Sequence, residues 1–176
     1  MRDLLSDYER MIAAGEPLGR AVVTSVWGSA PRPEGASMLA TRDGTVAGSV
    51  SGGCVEGATA AEIGAAIERG TPSLVTFGVS DERAWEVGLA CGGTIKVFIE
   101  PTIKPEVLAA ARGPGGEVVA TVVEGPALGR SLRVFDDGST EGDLGPAIPS
   151  EAVRDAALAA LGSESSRTVS LETPAG

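Results

Sequence analysis

Glycine and proline divide this chain into short segments, and no other feature of the sequence restricts its fold as strongly. The 176 residues include 25 glycines and 11 prolines, which lie between periodic segments and form no low-complexity tract. The segments between them are β-branched runs or amphipathic helical runs of modest length. The sequence therefore predicts an α/β fold in which short strands and helices are joined by tight turns.

The order of these segments predicts a mixed β-sheet with flanking helices. An amphipathic helix is predicted over 4–14 and an alanine-rich helix over 54–70, with Gly70 as its stop. Pro105 is suited to the first turn of a further short helix that ends near Arg112. β-Branched and alternating segments predict five strands in this part of the chain, at 21–27, 37–41, 45–50, 73–79 and 94–100.

The second part of the chain repeats the order of the first. Gly44 aligns with Gly138 and Val75 with Val169, and both pairs are 94 positions apart. The sequence therefore predicts an internal duplication of a β-β-β-α-β unit. The predicted elements of the second copy are strands at 117–124 and within 131–142, a helix at 150–162 and a final strand at 167–172.

This duplication predicts one domain over 1–176, with halves at about 18–101 and about 115–173. A divergent copy keeps what folding requires, whereas its chemistry can survive in one copy alone. A glycine pair followed by a cysteine, at 52–54, occurs only in the first half. We therefore expect the functional site on the first half, facing the seam between the two.

Composition excludes several classes of function. The chain has no histidine, which excludes Ser-His-Asp and Cys-His nucleophile pairs, HExxH zinc sites and imidazole as a general base. The formal net charge of −10, with six aromatic residues, provides neither the electrostatic footprint nor the stacking platform of a nucleic-acid-binding protein. The acidic N-terminus has no signal-peptide character and no apolar run is long enough for a membrane span, so a cytoplasmic protein is expected.

The two cysteines are the first candidates for chemistry. Cys54 and Cys91 are 37 positions apart, which allows neither a CxxC redox motif nor a four-cysteine zinc site, and no residue is assigned as a metal ligand. Cys54 follows Gly52 and Gly53 at a predicted strand-to-helix turn, where free N–H groups would stabilise a thiolate or a ligand oxyanion. The alternative is a small buried cysteine behind glycines that only form the turn.

Three further features are candidates for ligand contact. Glu56 lies in the first turn of the predicted helix, where a carboxylate either complements the helix dipole or acts as an acid, a base or a ligand contact. Arg32, between two prolines, is either presented to an oxyanion or simply solvated. Cys91 precedes Gly92 and Gly93, so that each thiol adjoins a glycine pair. Neither GxGxxG after a strand nor GxxxxGK[ST] occurs, which argues against a Rossmann or P-loop nucleotide site.

Four stretches of sequence resemble the N-terminal domain of the XdhC/CoxI family, the xanthine dehydrogenase accessory factors. They are GSAPRPEGASML (28–39), GSVSGGCVEGA (48–58), FGVSDERAWEVGLACGGTIKVFIEP (77–101) and, more loosely, ALGRSLRVFDDG (127–138). The resemblance runs from about residue 18 to 142, and the joint occurrence of SGGCVEG and ACGGTI is specific.

The resemblance implies an accessory protein, or chaperone, for molybdenum hydroxylases of the xanthine or carbon monoxide dehydrogenase type. Such a protein would bind the molybdenum cofactor (molybdopterin) as cargo, assist its sulfuration and insert it into the client enzyme. By this resemblance Cys54 and Cys91 take the chemical role. The residues expected to bind the cofactor are Arg32, Ser51, Gly52, Gly53, Glu56, Gly92 and Gly93.

Longer family members carry a second, Rossmann-like domain, and this chain ends at Gly176 without one. We therefore expect either a short member or the first domain of a longer protein, and a cofactor-insertion factor rather than an enzyme. The expected partners are a molybdenum hydroxylase client, a cysteine desulfurase and a second copy in a homodimer. Two alternatives stay open: a sulfur-transfer enzyme that uses Cys54 with Cys91 as resolving thiol, and a non-catalytic dimerisation or docking module.

Overall fold

The computed structural model describes residues 1–78, 93–163 and 166–171. The chain separates into two compact units, Met1–Ile103 and Lys104–Gly176, each with its own sheet and helices. Helices α1 to α4 are Leu5–Ala13, Glu56–Arg69, Pro105–Arg112 and Ser150–Leu158, and a 3-10 turn at Arg2–Leu4 precedes α1. Strands β1 to β8 are Leu18–Trp27, Ser37–Thr41, Val46–Gly48, Ser73–Phe77, Thr94–Glu100, Glu117–Thr121, Ser131–Phe135 and Thr140–Gly142.

The first unit is built on a five-stranded sheet with the strand order β3-β2-β1-β5-β4. Every neighbouring pair in it is antiparallel. The central strand β1 begins with a run of buried residues, as a strand with neighbours on both edges requires. Its pairing with β5 shifts register between Val23 and Ser25, which is a bulge close to the end that leads into the first candidate loop.

Helix α2 covers this sheet through a short apolar stripe. Ile63 and Ala66 have no exposed surface and belong to the same core cluster as the inward residues of β1, β2 and β5. Complete burial of an isoleucine side chain contributes about 1.5–3 kcal/mol to folding. The helix ends because Gly70 adopts φ +67° and its N–H donates to the Ala66 carbonyl at 2.8 Å.

The second unit has a three-stranded antiparallel sheet in the order β6-β7-β8, with α3 and α4 beside β6. Pro105 begins α3, where its missing N–H has no helical partner to lose. One buried cluster of this unit consists of Leu132, Val134, Leu144, Val153 and Ala157. Three residues of α3 and one loop residue are buried as well: Val107, Leu108, Ala111 and Ala127.

Two sequence expectations are corrected by these elements. The strands form two antiparallel sheets rather than one mixed sheet, because the 28–36 loop and the 42–45 turn return β2 and β3 antiparallel to their neighbours and β5 pairs antiparallel with β1. The strand expected at 167–172 is not formed over 167–171, and residue 172 lies outside the described residues. In the first unit β4 pairs with β5, whereas the described part of the second sheet holds β6, β7 and β8 and no counterpart of β5.

The two hairpins nevertheless share one register. Met38 pairs with Gly48 across β2 and β3, and Leu132 pairs with Gly142 across β7 and β8, so that both members of the pair are again 94 positions apart. Both glycines have positive φ, +78° and +107°, at the same place in their hairpins. None of the helices in the described residues has the length and apolar character needed to cross a bilayer.

Candidate functional site

The turn between β3 and α2 is folded around the carboxylate of Glu56. Atom Oε1 accepts hydrogen bonds from the hydroxyl of Ser49 at 2.6 Å and from the main-chain N–H of Val50, Ser51 and Gly52 at 3.2, 2.9 and 3.1 Å. Atom Oε2 accepts from the hydroxyl of Ser51 at 2.6 Å and the N–H of Gly53 at 2.9 Å. Successive N–H groups that converge in this way form an anion-binding concavity, and here the chain's own carboxylate fills it.

The next two N–H groups along the chain, those of Cys54 and Val55, donate to a serine hydroxyl. Ser51 Oγ accepts from the N–H of Cys54 and of Val55, both at 3.0 Å. The N–H of Gly52, which donates to Glu56, also donates to Ser49 Oγ at 2.8 Å. Every main-chain N–H from residue 50 to 55 therefore has an acceptor within the turn. The free N–H groups that the sequence led us to expect at Cys54 are all engaged, and the thiol itself is exposed.

These hydrogen bonds set the charge of Glu56. Partial burial raises the pKa of its carboxyl, but the hydrogen bonds from Ser49 and Ser51 outweigh this effect and lower the pKa from 4.5 to about 2. Glu56 is therefore ionised at neutral pH, which suits an acceptor of six hydrogen bonds and excludes it as a general acid there.

The two glycines of the turn have a conformational role. Gly52 and Gly53 adopt φ +83° and +118°, which side chains disfavour. Gly52 also lies against the loop between β1 and β2, because a Cβ atom at this position would be 3.2 Å from the Cβ atom of Pro31. The structure thus brings together the two segments of the first unit that the sequence singled out.

The loop at 28–35 is tied to β1 at its far end. Gly35 donates its N–H to the Val23 carbonyl at 2.8 Å, and Val23 donates to Ala36 at 2.9 Å. Arg32 is half-buried on this loop. Its Nε–H is buried and, among the described residues, meets no hydrogen-bond acceptor. A buried guanidinium N–H without a partner is costly, and it is a donor that an anionic ligand could engage.

Gly93, directly before β5, lies against the main chain at the start of the 28–35 loop. A Cβ atom at Gly93 would collide with the carbonyl oxygen of Ser29 and would be 3.1 Å from that of Trp27. Only a glycine permits this approach of β5 to the loop. Of the other sequence-predicted residues, Cys91 and Gly92 lie outside the described residues, so their place relative to Cys54 stays a prediction.

Comparison with known proteins finds a match to the segment that forms most of this site. The model of the XdhC and CoxI family matches residues 11–78, which include the 28–35 loop, the Ser-Gly-Gly-Cys turn and α2. This part of the chain is therefore similar to the XdhC and CoxI family. The family resemblance noted in the sequence is thereby confirmed.

Two curated relatives are similar over 99 residues. One is a probable xanthine dehydrogenase subunit from Bacillus subtilis, 35% identical over 55% of this chain and 28% of its own length. The other is the "Molybdenum cofactor insertion chaperone PaoD" of Escherichia coli, 31% identical over 56% of this chain and 30% of its own length. The chain thus spans less than a third of either relative.

A solved structure is similar over more of the chain. The crystal structure of a xanthine dehydrogenase from Bacillus halodurans superimposes with a TM-score of 0.63 and 26% identity, over 85% of this chain and 47% of that one. This similarity supports the α/β architecture of two sheets and four helices.

Sequence reasoning missed two residues in this XdhC and CoxI family segment. Ser49 bridges Glu56 and the N–H of Gly52, and Pro31 packs on Gly52. No sequence signal marks Ser49, because it lies seven positions before Glu56, outside the Ser-x-x-Glu spacing of a capping box. No sequence signal links Pro31 to Gly52, since that contact depends on how the loop folds. Among the described residues, no three His, Cys, Asp or Glu side chains group to hold a metal ion.

Proposed function

We propose that this protein is an accessory factor for a molybdenum hydroxylase of the xanthine or carbon monoxide dehydrogenase type. It binds the molybdenum cofactor, protects it, assists its sulfuration and delivers it to the client enzyme. The family of residues 11–78 supports this role, and so does the similarity to a relative named as a molybdenum cofactor insertion chaperone. Because the chain spans less than a third of that relative, the activity of the whole protein is part of the proposal.

The observation that carries the proposal is an exposed thiol on a turn that is in contact with the loop of a prolyl-bounded arginine. Cys54 projects from a turn that six hydrogen bonds to Glu56 hold in place, and Pro31 of the Arg32 loop packs on that turn. A thiol is a ligand for soft metals, and a guanidinium binds phosphate oxygens. A metal and a phosphate are the two groups that molybdopterin with bound molybdenum presents to such side chains.

The structure redistributes the expected contacts among these residues. The N–H groups of residues 50–55 donate to Glu56 and to two serines, so the turn has no free main-chain donor for the phosphate of the cargo. In the proposal, phosphate recognition therefore falls to Arg32, whose Nε–H has no acceptor among the described residues. Cys54 provides the sulfur contact, and Gly93 shapes the loop rather than touching cargo. Cys91 and Gly92 are retained as proposed site residues from the resemblance alone.

The proposed partners follow from the same role. The client is a molybdenum hydroxylase, and a cysteine desulfurase supplies the sulfur that the bound cofactor receives. We further propose a cytoplasmic location and a homodimer.

We also propose an internal duplication, which the common 94-residue spacing of the two hairpin registers supports. In this proposal the second copy preserved the order β-β-β-α and lost the chemistry.

Cofactor retention tests the proposal directly. The chain is incubated anaerobically with molybdenum cofactor and desalted rapidly, and the retained molybdenum and pterin are measured. Wild type is compared with C54A and R32A, and R42A serves as control because Arg42 is exposed on the β2–β3 turn of the same unit. We expect stoichiometric retention in wild type and R42A, loss of molybdenum in C54A and weaker pterin retention in R32A.

Two results would contradict this assignment. Retention unchanged in C54A would remove Cys54 from the site, and unchanged pterin retention in R32A would remove Arg32. Absence of retention in wild type would refute cargo binding by this chain and favour the docking module. Light scattering and a pull-down with the client would then be the relevant measurements.

A sulfur-transfer enzyme is the second candidate, because Cys54 is exposed on an ordered turn. It requires Cys54 to accept a sulfur atom from a persulfide donor. After incubation with a cysteine desulfurase and cysteine, this candidate predicts a mass gain of one sulfur atom in wild type and none in C54A. Absence of that gain in wild type eliminates it.

A further inference from the structure

The carboxylate of Glu56 is saturated by the turn that surrounds it. Oε1 is the acceptor in four hydrogen bonds and Oε2 in two, and all six donors belong to residues 49–53. A carboxylate oxygen offers about two lone-pair directions. No acceptor capacity is left for a ligand, and the pKa near 2 leaves no proton to give at neutral pH. Direct contact between Glu56 and cargo is therefore disfavoured.

The turn, in contrast, depends on Glu56. Four main-chain N–H groups converge at one place, and the same partial charges repel one another unless an anion lies between them. Gly52 and Gly53 adopt positive φ values, which direct these N–H groups inward. Without the carboxylate, water would bind these N–H groups and the turn could adopt many other conformations.

Cys54 is connected to the carboxylate from both sides. The residue before it, Gly53, donates its N–H to Oε2. The N–H groups of Cys54 and of Val55, the residue after it, both donate to Ser51 Oγ, and that hydroxyl donates in turn to Oε2 at 2.6 Å. The main chain on either side of the thiol is therefore held by a single group.

We propose that Glu56 is a positioning residue for Cys54: its carboxylate is the built-in anion around which residues 49–53 fold, and it fixes the main chain from which the thiol projects. The importance of this positioning for cargo rests on the proposed function, whereas the positioning itself does not. Glu56 was expected to contact the cofactor, and in this proposal it acts through Cys54 instead.

The experiment removes the carboxylate and then returns it in solution. In a C91A background, where Cys54 is the single thiol, E56A is compared with E62A, which removes another half-buried glutamate from the same helix. Two readouts are measured, amide hydrogen exchange of residues 51–55 and the rate of Cys54 alkylation by iodoacetamide. Both are then repeated over a series of formate and acetate concentrations at constant ionic strength.

We expect hydrogen exchange in E56A to rise about tenfold or more at Ser51 and Gly53, since hydrogen bonds to a charged acceptor are lost. The alkylation rate should change with it, and formate should return both readouts toward the C91A values in a saturable way. The E62A variant should show neither the change nor a response to formate. Chloride at equal ionic strength controls for screening.

Unchanged exchange in E56A overturns the proposal, and so does a change that formate and acetate do not reverse, because a general effect on the helix start would behave in that way. If E56A does not fold, E56Q takes its place against E62Q, and equal exchange at Gly53 in the two variants overturns the proposal. Neither readout uses the molybdenum cofactor. A failure of cargo retention and a failure of positioning are therefore distinguishable.

Discussion

Pro31 packs on Gly52 so closely that a Cβ atom at Gly52 would be 3.2 Å from the Cβ atom of Pro31. This contact joins the β1–β2 loop to the β3–α2 turn, and thus Arg32 to the segment that carries Cys54. The residue between the loop and the thiol must therefore be small, and it must tolerate a positive φ.

Substitution of Gly52 by alanine should destabilise the first unit. A side chain at φ +83° costs roughly 1–2 kcal/mol, and its contact with Pro31 adds to that cost. Urea unfolding measures the free energy of unfolding, and Cys54 alkylation reports on the turn. Gly57→Ala is the matched control, because Gly57 is helical with nothing within 4 Å of an added Cβ. Equal stability of G52A and G57A would contradict the prediction.

Gly93→Ala should also be destabilising, by about 1–3 kcal/mol, since the new methyl group would overlap the main-chain carbonyl of Ser29 and would be 3.1 Å from that of Trp27. Here the colliding atoms are backbone and cannot rotate away. The control is Gly64→Ala in the middle of α2, where the surroundings are open, and we expect it to raise stability by about 0.5–1 kcal/mol. Thermal unfolding of the two variants provides the comparison, and a gain in stability for G93A would be inconsistent with the loop geometry.

Glu56 should make stability depend on acid in a defined range. Its pKa is about 2 in the folded chain and ordinarily 4.5, so its contribution is fully present above 4.5 and is lost as the pH falls from 4.5 towards 2. The difference in unfolding free energy between wild type and E56Q should therefore be largest near neutral pH and shrink over this interval. Urea titrations at several pH values measure it, with E62Q as the reference for loss of a glutamate from the same helix. A difference that stays constant down to pH 2 would argue against an ionised Glu56 in the turn.

Arg20 and Glu100 form a buried ion pair across β1 and β5, with Nε and Nη2 of the arginine at 2.7 and 2.6 Å from Oε2. Their side chains are 9% and 3% exposed, so removal of one charge leaves the other buried without compensation. We expect E100Q to lose about 3–5 kcal/mol in unfolding free energy.

The double variant R20M/E100L distinguishes a charge effect from a packing effect. The double variant removes both charges and fills the same space with apolar side chains, so it should be more stable than E100Q. Denaturant unfolding of the single and double variants gives the comparison. If the double variant is the less stable of the two, the ion pair contributes more than its burial costs.

Local patterns predicted the elements well where the stop and start signals are strong. Helix α3 spans Pro105–Arg112 as expected, because proline marks its first turn. Strand β2 spans Ser37–Thr41 as expected, and α2 ends at Arg69, directly before the predicted stop at Gly70. The expected helix start at residue 54 was too early, because residues 49–55 are bound to Glu56 and to serines before the helix begins.

The residue order thus established an α/β chain of short elements and the resemblance of its first part to the XdhC and CoxI family. It also established the absence of histidine chemistry and a glycine-flanked thiol at a strand-to-helix turn. These features depend on local preference and on composition. It did not establish that β5 lies between β1 and β4, that the strands form two antiparallel sheets, or that Pro31 meets Gly52. Nor did it reveal that the N–H groups of residues 50–53, in the turn before the helix, bind Glu56 instead of standing open to a ligand. These features join residues through contacts that exist only once the chain has folded, and their energies depend on burial and geometry that no local window contains.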